Sequence, residues 1–391
     1  MTLPPEATRI LRTLEAAGFE AFVVGGCVRD AVRGIAPKDW DITTSAHPPQ
    51  VKALFPRTFD TGIAHGTITV LENRRPFEVT TYRIDGAYTD ARRPDSVLFT
   101  GKIEEDLSRR DFTMNAIAYN PAQGFADPFG GRADIEAKII RAVGDPMLRF
   151  GEDALRMLRA MRFAATLGFT IEPATLAAMH HQAANLRHIS AERIREELTR
   201  TVCGTHPQAL YILEETQLRP YPADLKKTVS YLEKCPADPL LRLALYFAPL
   251  ENPADQLRAL RYDNKTTQAV ALFTRLLPHP IPADAYEVKK ILRQFPVDTA
   301  QQSFYDLITL QEITHAIETA HALELRQINT SIHANRECYT LKTLAVTGRD
   351  LAAHGIPEGK EMGRILASLL DTVLRDPAQN TAPSLLSQVK T

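Results

Sequence analysis

Strand-like sequence in this chain stops near residue 145, and no other feature limits the fold as much. Ahead of that point, short runs of apolar and β-branched residues recur. Phe19 to Val24, Trp40 to Thr44, Gly66 to Leu71 and Phe77 to Arg83 read as strands. Glu6 to Ala17 sets Ile10, Leu11 and Leu14 at helical spacing, with Gly18 as a stop. Beyond about residue 150 the period becomes that of helices. Leu155, Leu158 and Met161 form one stripe, and Ser190 is placed to cap a helix bearing Ile194, Leu198 and Val202. Met362, Ile365, Leu366, Leu369, Leu370 and Val373 mark the clearest amphipathic helix. The 391 residues give room for two or three compact units. The expected class is α+β: a small mixed sheet with helices at the head, then an all-α remainder.

Charge and cysteine usage exclude several functions. Lys plus Arg number 46 and Asp plus Glu 47, for a net charge of -1, so bulk positive charge is not what would hold nucleic acid here. A locally basic groove is still compatible with that balance, because steering depends on where charges lie. Cys27, Cys203, Cys235 and Cys338 form no CxxC pair, so neither a zinc ribbon nor a disulfide framework is indicated. The start, MTLPPEATRI, lacks the pattern of a secretory leader, and no stretch reaches membrane-spanning length. A cytoplasmic protein without a membrane partner is the expectation.

The densest chemistry lies in Val23-Val24-Gly25-Gly26-Cys27-Val28-Arg29-Asp30, followed by Lys38-Asp39-Trp40-Asp41-Ile42. An apolar strand running into two glycines and then a helical pattern lets backbone approach a phosphate, and Arg29 would add a fork of donors. Alone, a glycine pair marks a tight turn. No GxGxxG or GxxxxGK[ST] follows, so this is neither a dinucleotide fingerprint nor a P-loop. Asp39 and Asp41 sharpen the reading. On a strand, residues two apart share a face, so the two carboxylates would stand side by side. Like charges so close call for a cation between them, and hard oxygen ligands suit Mg²⁺. A lone DxD is otherwise a solvated loop.

These residues carry a resemblance. Gly25-Gly26-Cys27-Val28-Arg29-Asp30 with Asp39-Trp40-Asp41 resembles the first motif of the class II template-independent nucleotidyltransferases. That family holds tRNA CCA-adding enzymes and bacterial poly(A) polymerases, within the polymerase-β-like superfamily. Arg109-Arg110-Asp111-Phe112-Thr113-Met114-Asn115-Ala116 resembles its second motif, which implies that Arg110 contacts the nucleotide. Asp127-Pro128-Phe129-Gly130-Gly131 resembles the hinge between head and neck, and Glu152-Asp153-Ala154-Leu155-Arg156 the base-reading motif. The resemblance implies a nucleotidyltransferase head at 1–145, a neck for base recognition at 146–205, a helical body at 206–305 and a tRNA-binding helical tail at 306–391. Tail recognition would be by shape and phosphate, as structured RNA demands.

The base-reading stretch also has a direct physical reading. On one helix Asp153 and Arg156 would be neighbours, either as a plain surface ion pair or as a reading head. The carboxylate only accepts and the guanidinium only donates. Adenine and cytosine both present an amino donor beside a ring-nitrogen acceptor, whereas guanine and uracil reverse that order. One Asp–Arg pair would therefore admit ATP and CTP while leaving unpaired groups against GTP and UTP. Family likeness extends the pocket to Arg159 and Arg162.

The implied activity is addition of C, C and A to the tRNA 3′ end from CTP and ATP by a two-Mg²⁺ mechanism, with the metals on Asp39 and Asp41 and pyrophosphate leaving. Rivals within the class are A-only or CC-only adders and a poly(A) polymerase; outside it, a silent tRNA-binding protein. The loop bearing Arg92-Arg93-Pro94-Asp95 resembles the segment the family needs to switch from C to A. Glu78, alternating with Phe77 and Val79, is either a third carboxylate near the metals or a structural ion-pair partner. No histidine precedes an Asp, against an appended HD-type phosphohydrolase. Monomer and homodimer both stay open.

Overall fold

The computed structural model describes residues 1–86, 97–218, 222 and 224–389. The chain forms two units, Met1–Val229 with Leu257–Tyr262, and Ser230–Gln256 with Asp263–Thr391. The Arg92-Arg93 loop lies outside the described residues.

The first unit begins with helix α1 (Pro5–Ala16), strand β1 (Ala21–Val24), α2 (Gly26–Val32), β2 (Ile42–Thr44), α3 (Pro48–Leu54), β3 (Thr58–Gly62), β4 (Thr67–Glu72) and β5 (Arg75–Thr81). An antiparallel pair, β6 (Arg83–Asp85) with β7 (Val97–Phe99), precedes α4 (Ile103–Ser108), β8 (Ala118–Asn120), β9 (Gly124–Ala126) and α5 (Gly131–Glu136). Helices α6 (Pro146–Glu152), α7 (Leu155–Leu167), α8 (Pro173–Gln182) and α9 (Ala191–Val202) follow.

Seven strands make one mixed sheet in the order β3-β4-β5-β2-β1-β8-β9, with β2 and β5 parallel. β1 is apolar and buried at every position, which suits a strand covered on both faces. It pairs antiparallel with β2 on one side and β8 on the other. Under the sheet, Phe22, Val24, Tyr82, Leu107 and Val143 share one buried cluster.

Two details depart from the sequence reading. The ladder of β2 starts at Ile42, so Asp39 and Asp41 lie just ahead of it. β1 ends at Val24 because Gly25 turns away, although the Val24 N–H still reaches the Asp41 carbonyl at 3.0 Å. The in-and-out alternation survives, with Trp40 buried between two exposed aspartates. Second, the region past residue 150 is not wholly helical. Thr170–Ile171 forms a short parallel pair with Ile139–Ile140, tying the helices after α5 to the head. The Leu155, Leu158 and Met161 stripe is buried as expected.

The second unit is helical among its described residues. Its helices include Pro239–Phe247, Asn264–Leu276, Ala285–Leu292, Ala300–Ile313, Thr319–Ala334 and Lys360–Arg375. Asp238, Asp263 and Asp284 each accept a first-turn N–H, the usual way an acidic cap starts a helix. Fully buried Lys289 donates to Glu337 at 2.8 Å, which spares the core an unpaired charge.

Candidate active site

Gly25 turns the chain from β1 into α2 with φ +82°, a conformation that costs any residue with a Cβ. The space where a side chain would go is taken by Arg110, whose Nη1 would lie 2.9 Å from such a Cβ. Arg110 is anchored by Asp106, which is fully buried and also bonds Arg109 at 2.8 Å. Burial pushes the Asp106 carboxyl up, but Arg109 and Arg110 more than offset this and hold it below its ordinary value. The Nε of Arg110 is buried with no hydrogen-bond partner, a donor left over for an anion.

Arg29 lies one turn into α2 and is nearly buried. It forks onto the Asp30 carboxylate at 2.9 and 3.0 Å and donates to Asn115 Oδ1 at 2.8 Å. Asn115 in turn donates to Asp111. Asp111 is buried; burial pushes its carboxyl up, yet Arg159, Asn115 and Arg156 pull harder and hold it at about 2.

Asp39 and Asp41 are exposed, and the parallel register of β2 with β5 brings Glu78 beside Asp41. The Asp41 carboxyl is open to water at a crowded wall. Burial by that wall raises its pKa, Glu78 and Asp39 add repulsion, and Arg110 opposes them. Among the described residues no salt bridge or side-chain hydrogen bond neutralises Asp39, Asp41 or Glu78. Glu78 and Asp39 each repel the Asp41 carboxylate, a repulsion that a hard divalent cation with oxygen ligands would relieve. Among the described residues no three such groups close on one point. A cation there would complete its shell with water or phosphate oxygens, as Mg²⁺ does.

The base-reading pair differs from expectation. Asp153 is not on a helix with Arg156; it sits at the break between α6 and α7. Its Oδ1 caps α7 by accepting the Leu155 N–H at 3.0 Å, and its carboxylate binds Arg193 of α9 at 2.7 Å. Arg156 is nearly buried and donates to Glu152 at 2.7 Å and to the carbonyls of Arg149 and Arg109. These engage three of its five N–H donors and leave Nε and one Nη2 hydrogen for a ligand.

Arg159 holds Asp111 at 2.6 Å, and Arg162 holds Glu197 at 2.5 Å.

One cleft of about 380 Å³ collects most of these groups. Gly26, Arg29, Asp41, Arg110, Asp153, Arg156 and Arg159 all line it. Asp39 and Arg162 are not in its lining, Arg162 being turned to Glu197. The lining also includes Asp111, Asn115, Phe163 and Arg193, to which the sequence reading gave no role. Asp111 and Asn115 stood inside a motif and bond each other, but their arginine partners, Arg159 and Arg29, are far away in sequence. Arg193, 40 residues from Asp153, had no local signal. A protein of net charge -1 thus concentrates arginines on one concave wall.

Residues 21–141 match the Poly A polymerase head domain, 168–221 the RNA and SrmB-binding site of polymerase A, and 240–389 the tRNA nucleotidyltransferase domain 2. The CCA-adding enzyme of Levilactobacillus brevis is 39% identical over 402 residues, covering 99% of this chain and 98% of that one. That of Lacticaseibacillus paracasei is 38% identical, covering 97% and 94%. Among solved structures, the Bacillus stearothermophilus CCA-adding enzyme in complex with CTP superposes with a TM-score of 0.83 at 31% identity, over 98% of this chain and 97% of that one. The Thermotoga maritima CCA-adding enzyme complexed with tRNA shares the fold, with a TM-score of 0.63 at 19% identity, over 99% and 95%. With such identity along nearly the full length of both partners, the chain belongs to the CCA-adding enzymes, a family of tRNA nucleotidyltransferases.

Proposed function

We propose that the protein adds C, C and A to the 3′ end of tRNA, taking CTP and ATP and releasing pyrophosphate. The observation that carries this is the shared cleft, which brings Asp41, Arg29, Arg110, Asp153 and Arg156 around one volume. Relatives named CCA-adding enzymes, one of them solved with CTP, support the same reading.

In this reading Gly26 leaves bare backbone towards the triphosphate, and Arg29 and Arg110 grip its oxygens. The tRNA 3′-oxygen bonds to the α-phosphorus as the bond to the bridging oxygen breaks, and pyrophosphate leaves with the electron pair. Asp39 and Asp41, with Glu78 beside them, would hold Mg²⁺. Bound there, it would acidify the attacking hydroxyl and neutralise the leaving charge. Asp153 accepts the amino group of adenine or cytosine, and the free donors of Arg156 meet the ring nitrogen. Arg159 extends this wall, and Arg162, turned to Glu197 outside the cleft lining, backs it. A guanine or uracil would face donor with donor and acceptor with acceptor.

The proposed division is a catalytic head (1–145), a base-reading neck (146–205), a body (206–305) and a tail (306–391) that holds tRNA. Among the described residues no helix is long and apolar enough to cross a membrane. The proposed setting is the cytoplasm, where tRNA and nucleotides meet.

The test supplies tRNAs ending before, within and after CCA with each labelled nucleotide, in Mg²⁺ or EDTA. A full CCA product only with Mg²⁺ supports the proposal; single A, CC only or a long A tract would replace it with a partial adder or a poly(A) polymerase. Asp39→Ala should abolish incorporation while Tm stays at the wild-type value. Near-normal turnover of that variant would remove the metal role.

A further inference from the structure

The ring of Phe163 gathers three guanidinium groups. Arg162 lies 4.0 Å, Arg29 5.2 Å and Arg159 5.7 Å from its centroid. Cation–π contacts of this kind recur about once per 70–80 residues, so three on one ring form a distinct device. The ring is 5% exposed, lines the cleft, and meets Phe112 edge-on at 5.9 Å. Arg159 is its neighbour one turn earlier on α7, whereas Arg29 comes from α2. Each arginine is also tied to its own carboxylate: Arg29 to Asp30, Arg159 to Asp111 and Arg162 to Glu197. The ring face adds a second fixed point to Arg159 and Arg162, and a third to Arg29, which Asn115 also holds.

We infer that Phe163 is a positioning residue that holds the triphosphate-directed Arg29 in register with Arg159 and Arg162 of α7, coupling the grip on phosphate to the helix that reads the base. The inference rests on the proposed nucleotide site. The negative π system of the ring gives the three cations one common partner in addition to their own carboxylates. Removing the face while keeping apolar volume would let the arginines splay, which weakens nucleotide binding more than it slows the chemical step.

The experiment compares Phe163→Leu, Phe163→Met and Phe163→Tyr with wild type on tRNA lacking its terminal A or CCA. It measures kcat and KM for CTP and ATP separately, with Tm alongside. Two of the lost contacts correspond to about a tenfold rise in KM. We expect that rise for both nucleotides in Leu and Met, with kcat within about threefold, and recovery in Tyr, which keeps the ring. If Leu does not fold, Met carries the comparison. KM within twofold of wild type in a folded Leu or Met variant overturns the inference. So does an equal fall of kcat in all three variants that tracks Tm, which is the mark of a purely structural ring. A wild-type protein that incorporates neither nucleotide would instead remove the proposed function itself.

Discussion

At Gly25 the backbone has φ +82° and an added Cβ would lie 2.9 Å from Arg110 Nη1. At Gly26 the same atom would meet Arg29 Nη2 at 3.7 Å, an ordinary contact. The two glycines therefore predict different outcomes. Gly25→Ala should cost about 1–3 kcal/mol from the backbone alone, since φ +82° with ψ -133° suits glycine only, and should also displace Arg110. Gly26→Ala should fold with wild-type Tm. Paired thermal melts check this, and equal Tm losses would show that the turn does not discriminate. Asp111 offers a test in pH. Its folded pKa of about 2 lies below the unfolded value near 3.8, so its stabilisation is complete above about pH 4 and disappears as pH falls towards 2. The difference corresponds to about 2 kcal/mol. Urea unfolding across pH 2–5 should show that Asp111→Asn is less stable at neutral pH and lacks this part of the acid slope. The glycine pair was legible in the sequence because strand, turn and helix follow one another locally. Which glycine is indispensable was not, since the answer depends on Arg110, which packs in from 85 positions away.

Among the elements, α9 fastens the start and middle of α7 through two ion pairs, Arg193 with Asp153 and Glu197 with Arg162. In the proposed reading Asp153 must present a fixed carboxylate to the base, and its two fixed points are the Leu155 cap and Arg193. Arg193→Ala should leave α7 folded but let the carboxylate swing. The expected result is a rise of about tenfold in UTP and GTP incorporation relative to CTP and ATP, the scale of one lost charged hydrogen bond. Ratios of kcat/KM for the four nucleotides measure it, and unchanged ratios would deny Arg193 a part in selection. The break that sets Asp153 free of the helix did have a sequence signal. Gly151 weakens the end of α6, and an Asp ahead of an apolar run is a favoured cap. The continuous apolar stripe from Leu155 onward masks both signals. The strands β8 and β9 escaped for another reason: three residues each are too few to display a period.

On the scale of the whole chain, the two units are interleaved. The chain leaves the first unit after Val229, then returns to it for Leu257–Tyr262 before finishing in the second. That return is a packed one. Leu257 is fully buried, Leu260 nearly so, and the Tyr262 hydroxyl lies 2.7 Å from Thr199 on α9. Burial pushes the Tyr262 hydroxyl up to about 12. Arg195, also on α9, donates to the Arg261 carbonyl. No single cut therefore separates the units cleanly. A chain ending at residue 229 loses this strap, and one ending at 262 carries Pro239–Phe247 with its apolar face stripped of its own unit. The first should melt about 5 °C or more below a version in which residues 257–262 are rejoined to 229 by a short flexible linker, since each buried leucine contributes about 1.5–3 kcal/mol. In the proposed reading the strap bears on α9, and α9 holds Asp153 through Arg193, so the rejoined form should also keep more of any preference for CTP over UTP in nucleotide binding. Equal melting temperatures would mean that Leu257–Tyr262 merely rests on the first unit.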